Sequence, residues 1–108
     1  MDIVILESPY AGDSKEAVNQ NTAYARLCMQ DSLKRGEAPM VSHLLYTQVL
    51  NDDIPEQRQQ GIDAGLSWRA VASKSVMYQD RGISMGMRYG IDAARKAGIP
   101  IEYRQILT

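Results

Sequence analysis

The run Ile3-Val4-Ile5-Leu6 decides the fold, because it is an unbroken stretch of β-branched and aliphatic residues near the start of the chain. Such a run predicts a strand that is covered on both faces, and therefore a central strand of a sheet. The residues that follow it, Glu7 to Ser14, are rich in turn formers and predict a loop.

Predicted helices and strands alternate along the rest of the chain. The predicted helices cover residues 19–35, 52–68 and 84–97. The further predicted strands cover residues 39–42, 76–78 and 99–103. The run Leu44-Leu45-Tyr46 fits either a strand or a helical turn. The buried stripe of the first helix is expected to contain Ala25, Cys28, Met29 and Leu33.

The second predicted helix carries a start signal. An aspartate of the pair Asp52-Asp53 is expected to cap it, and Pro55 lies in its first turn. Its buried stripe is expected to contain Arg58, Ile62 and Leu66.

The order βαβαβαβ with short connections predicts an α/β domain of three layers, of flavodoxin-like or Rossmann-like type. Its sheet should be mostly parallel, with four to five strands. Residues 1–108 are expected to form this single domain, since no repeat or linker interrupts the alternation. The last strand should lie at an edge, because Pro100 cannot donate a hydrogen bond to a ladder.

Composition and charge exclude several classes of protein. The 108 residues carry 12 Lys+Arg and 13 Asp+Glu, and the scattered basic residues argue against a nucleic-acid partner. No apolar run has the length of a membrane span, roughly 18 residues. The first residues also lack the basic region of a signal peptide, so we expect a cytoplasmic protein without a membrane partner. One cysteine, Cys28, and one histidine, His43, cannot form a zinc site, and no metal or cofactor is expected.

Ligands of parallel α/β sheets bind outside the carboxyl ends of the strands, where the strand order reverses. The loops at these ends lie within residues 7–13, 42–46 and 79–87. The first contains Ser8-Pro9-Tyr10, which offers hydroxyl groups and an aromatic ring. Tyr24 either points into the same cleft or packs in the core. His43 is either a hydrogen-bonded structural residue or a ligand-holding one.

The last predicted helix begins after a turn that contains glycine, with Ser84 at its N-cap. The backbone amides at the start of a helix lack partners, so those of Met85, Gly86 and Met87 are candidates to hold a phosphate or a carboxylate. Arg88 follows as a candidate cation. A plain helix cap without a ligand is the alternative.

Three carboxylates near the loops are candidates for acid–base or nucleophilic work: Glu7, Asp63 and Asp80. Caps and ion-pair partners are the alternative roles. Trp68 is expected in the core or in a dimer interface.

The chain resembles the superfamily of nucleoside 2-deoxyribosyltransferases and nucleotide N-glycosidases, particularly a small branch common in phages and bacteria. The resemblance rests on the Ser8-Pro9-Tyr10 loop, Tyr24, Ser42-His43 and Asp80-x-Gly82-x-Ser84-x-Gly86-Met87. It implies a nucleoside or nucleotide ligand, held by Ser8, Pro9, Tyr10, Tyr24, His43, Ser84, Gly86, Met87 and Arg88.

The resemblance also implies a nucleophilic glutamate just after the Ser-x-Gly element. Met87, Arg88, Tyr89 and Gly90 stand there instead, and none is a carboxylate. Asp63 and Asp80 are therefore the catalytic candidates.

Three functions follow as hypotheses. The first is an N-glycosidase or deoxyribosyltransferase with an altered set of carboxylates. The second is a protein that binds a nucleotide or a nucleotide-derived signal without catalysis. The third is a small structural domain that dimerises. A homodimer or a higher homo-oligomer is expected in any case, because a domain of this size has a small core.

Overall fold

A computed structural model describes residues 1–107 of the chain. The strands are β1 (Ile3–Glu7), β2 (Ala38–Met40), β3 (Lys74–Tyr78) and β4 (Ile101–Arg104). The helices are α1 (Lys15–Lys34), α2 (Ser42–Leu45), α3 (Pro55–Ser67) and α4 (Met85–Ala97). Short 3-10 turns follow α2 at Tyr46–Gln48 and α3 at Trp68–Ala70. The ambiguous run after His43 is therefore helical.

The sheet is parallel throughout and has the strand order β2-β1-β3-β4. This arrangement confirms the predicted three-layer α/β fold of flavodoxin-like type. β1 is central, and β4 lies at an edge, as Pro100 just before it indicated. The chain moves from β1 outward to β2 and then back across β1 to β3, so the strand order reverses between β1 and β3.

Alternate side chains of β1 and β3 separate the two faces of the sheet. On one face, Val4, Leu6, Val76 and Tyr78 pack with Tyr24 and Cys28 of α1. The opposite face carries Ile5 and Met77, and α4 covers it with the buried residues Met87, Gly90 and Ala94. Both faces of the central strands are thus covered, which is why their sequences are continuously apolar.

Polar side chains cover part of the α1 face near β4. Arg104 donates two hydrogen bonds to Glu37, at 2.8 and 2.6 Å, and both residues are buried. Lys74 lies 3.3 Å from Glu37 and 2.9 Å from Glu102. Tyr78 donates a hydrogen bond to Asp31 at 2.6 Å. These bonds connect the end of α1 to β3 and β4.

Four details of the predicted helices were wrong. α1 begins at Lys15, because the side chain of Ser14 caps it, and Leu33 of the predicted stripe is exposed. Ile54, not an aspartate, occupies the N-cap of α3. Arg58 is exposed, whereas Ile62 is partly buried. In α1, Ala25 and Cys28 are buried and Met29 packs against the core, as predicted. α1 also buries Asn21 and Ser32 through polar contacts, which hydrophobic periodicity does not detect.

Within residues 1–107, the helices are too short or too polar to cross a membrane.

Candidate functional site

A serine and a histidine meet where β1 and β2 end. Ser8 directly follows β1, and His43 lies in the first turn after β2. Because the two strands are parallel neighbours, their carboxyl ends are adjacent, and Ser8 Oγ lies 2.8 Å from His43 Nε2. Burial lowers the pKa of His43 to about 4, so the imidazole is neutral at pH 7.

Tyr10 lies beside this pair. The edge of one ring meets the face of the other, with 6.3 Å between the centroids of Tyr10 and His43 and an angle of 71° between the planes. Asn21 of α1 donates from Nδ2 to the carbonyl oxygens of Tyr10 and Ala11, at 3.1 and 3.2 Å. Gly12 allows the loop to approach α1 closely, because a Cβ there would lie 2.7 Å from Cβ of Ala17. Tyr10 is therefore fixed in position by α1 and α2.

Two open grooves meet at Tyr10, between α1 and the segment after β2. The first has a volume of about 370 Å³ and is lined by Tyr10, Thr22, Arg26, Met29, Leu44, Thr47 and Gln48. The second has a volume of about 440 Å³ and is lined by Tyr10, Ala11, Gly12, Val18, Leu50, Asn51, Asp52 and Asp53. One groove thus carries a cation and the other carries two carboxylates.

Asp80, which follows β3, is occupied by structural contacts. Tyr24 donates from its hydroxyl group to Asp80 Oδ1 at 2.5 Å and accepts from the backbone N–H of Asp80 at 3.0 Å. The carboxylate also accepts hydrogen bonds from the backbone N–H groups of Ile106 and Leu107. Burial alone would raise the pKa of Asp80, but these hydrogen bonds outweigh it and lower the pKa. Asp80 holds the end of the chain against α1.

The loop after β3 joins the first loop through α1. Arg81 donates from Nε to Asn21 Oδ1 at 3.0 Å, and Asn21 bonds the carbonyl of Tyr10 on its other side. The structure thus brings Ser8, Tyr10 and His43 together. Hydrogen bonds through Asn21 and Arg81 link Tyr10 to the loop that contains Asp80. Pro9, which lies between Ser8 and Tyr10 in the sequence, is also buried.

Within residues 1–107, the other predicted site residues form no hydrogen bond with Ser8, Tyr10 or His43. Ser84 caps α4 by accepting a hydrogen bond from the N–H of Met87 at 3.2 Å, and the side chain of Met87 is fully buried. Gly86 and Arg88 are exposed at the start of α4. Asp63 is exposed on α3, where it accepts a hydrogen bond from Gln59 one turn earlier.

Glu7, the last residue of β1, is a buried carboxyl group on the α4 face of the sheet. Burial raises its pKa to about 7, although Arg69 acts in the opposite direction. Oε1 of Glu7 lies 4.0 Å from Nη2 of Arg69, which donates to the carbonyl of Gly90 at 3.3 Å. Sequence reasoning placed Glu7 among three candidate carboxylates but could not rank it first, because only tertiary packing makes it buried.

Within residues 1–107, no group of histidine, cysteine and acidic side chains has the arrangement of a metal site. Comparisons with curated proteins and with solved structures find no significant match. The profile of a domain of unknown function, DUF7768, matches residues 2–104, which is nearly the whole chain. The central strand, the Ser8-Tyr10 loop, His43 and the capped helix α4 all lie within that match, and the chain belongs to the DUF7768 family.

Proposed function

We propose that the protein processes a nucleoside or nucleotide, which it binds where β1 and β2 end, with the base against the ring of Tyr10. The observation that carries this proposal is the fixed position of Tyr10. Ser8, His43 and Asn21 hold its loop through hydrogen bonds and ring contact, and Tyr10 lines both grooves. A ring that is already fixed loses little entropy when a base packs against it.

The first groove has the chemistry that a nucleotide needs. Met29 and Leu44 supply apolar surface for a base, and Arg26 supplies a positive charge for a phosphate. Thr47 also lines this groove, and its hydroxyl group donates a hydrogen bond to the carbonyl oxygen of His43 at 2.7 Å. Pockets for small ligands commonly combine apolar walls with a few such polar groups.

The resemblance to nucleotide N-glycosidases and deoxyribosyltransferases supports cleavage of the glycosidic bond as the reaction. A protein that binds the nucleotide without cleaving it is the alternative. The two predicted catalytic carboxylates favour this alternative. Both carboxylate oxygens of Asp80 already accept hydrogen bonds, and Asp63 is exposed on α3. The two functions differ in whether free base appears.

Calorimetry with a panel of deoxynucleosides and their 5′-monophosphates tests binding. We expect Tyr10→Ala to weaken binding of all active panel members. Arg26→Glu should weaken binding of monophosphates by about tenfold or more, since it removes a charged contact. Arg95→Glu, on the exposed last turn of α4, is the matched control. A panel without any binding, or equal loss in both arginine variants, would contradict the proposal.

A homodimer in the cytoplasm remains part of this proposal. Met85 and Tyr89 are exposed one turn apart on α4, and Trp68 is partly exposed where it donates a hydrogen bond to Tyr46. Such apolar side chains are typical of protein contacts. Light scattering that gives the mass of one chain would contradict the dimer.

A further inference from the structure

Two threonines of the first groove have already used their hydrogen-bond donors. Thr22 Oγ1 donates to the carbonyl oxygen of Val18 at 2.9 Å, and Thr47 Oγ1 donates to that of His43 at 2.7 Å. A hydroxyl group has one hydrogen to donate and two lone pairs that accept. With these contacts in place, both threonines can only accept a hydrogen bond from a ligand.

The amide group of Gln48, which also lines the first groove, is restricted in the same way. Its Nε2 donates to the carbonyl oxygen of Leu44 at 3.1 Å and to that of Leu45 at 3.2 Å. Carbonyl oxygens only accept, so these two contacts fix which end of the amide is the nitrogen, and they use its two hydrogens. The oxygen of the amide is the end that remains for a ligand, and it accepts as well.

The positive charge of the groove and two of its acceptors come from different elements. Arg26 belongs to α1, and its guanidinium group has donors only. Thr47 and Gln48 belong to the 3-10 turn after α2. A ligand that contacts both elements therefore meets a cation on one and hydrogen-bond acceptors on the other.

We propose that the first groove selects nucleotides whose base carries an exocyclic amino group, as adenine and cytosine do. This inference rests on the proposed function and names the substrate class of its site. The amino group donates hydrogen bonds to Thr47 and Gln48, and the phosphate accepts hydrogen bonds from Arg26. Uracil and hypoxanthine carry a carbonyl oxygen in place of the amino group, so they would put an acceptor against acceptors.

The remaining polar group of the groove does not discriminate between these two classes of base. The hydroxyl group of Tyr10 can donate and accept, so it pairs with an amino group or with a carbonyl oxygen. Sites that leave a polar group unpaired reject an analogue by on the order of 10⁴-fold when they are enclosed. Because this groove is open to water, we expect a preference of about tenfold.

Calorimetry with two matched pairs of nucleotides tests the inference. One pair is deoxycytidine and deoxyuridine 5′-monophosphate, and the other is deoxyadenosine and deoxyinosine 5′-monophosphate. The members of a pair share the sugar and the phosphate, and they differ in the base, where a carbonyl oxygen replaces the amino group. We expect wild type to bind the amino member of each pair about tenfold more tightly.

Two variants assign the preference to the 3-10 turn. Thr47→Val and Gln48→Met remove one acceptor each and keep the approximate size of the side chain. Each should weaken binding of the amino members alone and so bring the ratio of affinities toward one, whereas a distorted groove would weaken both members alike. Gln59→Met is the matched control, since Gln59 is exposed on α3, where it bonds to Asp63. It should keep the wild-type ratio.

The outcomes separate this inference from the proposed function. Equal affinities within both pairs, or tighter binding of the carbonyl members, would overturn the inference and leave nucleotide binding intact. A wild-type ratio in both Thr47→Val and Gln48→Met would overturn it as well. Absence of binding by all four nucleotides would overturn the proposed function itself.

Discussion

Glu7 and His43 lie at the same edge of the sheet, and burial favours the neutral form of both. It raises the pKa of Glu7 from 4.5 to about 7 and lowers the pKa of His43 from 6.5 to about 4. Between pH 4.5 and pH 7, the folded state keeps a proton on Glu7 that the unfolded chain releases. Stability from Glu7 therefore falls as the pH rises through this window. Between pH 4 and pH 6.5, the unfolded chain protonates His43 and the folded state does not, so stability from His43 rises with pH.

We predict that Glu7→Gln and His43→Gln change the pH dependence of stability in opposite directions. Without Glu7, the free energy of unfolding should rise between pH 4.5 and pH 6.5 more steeply than in wild type. Without His43, it should fall across the same window. Each pKa shift changes the free energy of unfolding by up to about 3 kcal/mol over its full pH range. Urea titrations at several pH values measure both, and parallel profiles for the three proteins would contradict the assigned shifts.

We predict that Gly90→Ala destabilises the protein although alanine favours helices. The added Cβ would meet the carboxyl group of Glu7 at 2.5 Å, and overpacking of this kind costs about 1–3 kcal/mol. Glu7→Ala removes the carboxyl group that the new Cβ would meet. Adding Gly90→Ala to Glu7→Ala should therefore cost much less stability than adding Gly90→Ala to the wild type. Thermal unfolding of the four proteins completes the cycle. Additive effects would show that the two positions are not in contact.

At the scale of elements, α1 and α4 begin in the same way. Ser14 accepts a hydrogen bond from the N–H of Ala17 at 3.1 Å, and Ser84 accepts one from the N–H of Met87 at 3.2 Å. Each cap satisfies an amide that the helix itself leaves free. The sequence indicated the second cap because Ser84 precedes a strongly amphipathic helix. It did not indicate the first, because residues 15–18 lack a clear apolar stripe.

We predict that Ser84→Ala and Ser14→Ala each lower the free energy of unfolding by about 1 kcal/mol. Denaturant titration measures both losses. The two variants also test the predicted contact between Ser84 and a ligand. If Ser84 acts only as a helix cap, Ser84→Ala and Ser14→Ala should bind nucleotides equally well. Weaker binding in Ser84→Ala only would place Ser84 in the binding site.

At the scale of the whole molecule, one buried ionic group joins the two edges of the sheet. Glu37 precedes β2 and Arg104 ends β4, so the pair connects the first strand in the sheet order to the last. Hydrogen bonds from Arg104 and Ser32 outweigh desolvation and lower the pKa of Glu37 to about 2. The stability that Glu37 contributes is therefore present above pH 4.5 and is lost as the pH falls toward 2.

We predict that Glu37→Gln lowers the free energy of unfolding by about 3 kcal/mol, because it removes the buried carboxylate that accepts two hydrogen bonds from Arg104 and leaves the more exposed Glu102 to pair with that charge. Arg35→Ala is the control. It removes an exposed pair with Asp31, and its cost should be less than about 1 kcal/mol. Similar losses in the two variants, measured by urea unfolding at neutral pH, would show that burial adds nothing to the Glu37 pair.

The sequence by itself determined the layers and the order of the elements. The apolar run of β1, the amphipathic spacing of α4 and the proline before β4 act over short distances, so neighbouring residues are enough to predict them. The first loop was likewise predictable, because turn formers follow a central strand. Ser8, Tyr10 and His43 were selected from their positions at strand ends, and the structure brings these three together.

Only the tertiary structure decided the surroundings of each carboxylate. Asp80 and Glu7 both lie at strand ends, and nothing in their neighbours along the chain distinguishes them. Asp80 is saturated by Tyr24 and by the end of the chain, whereas Glu7 is buried between the sheet and Gly90. Partners distant in sequence determine a side chain's solvation and bonds, and these set its pKa. The polar contacts of Glu37 with Arg104 were hidden from the sequence for the same reason.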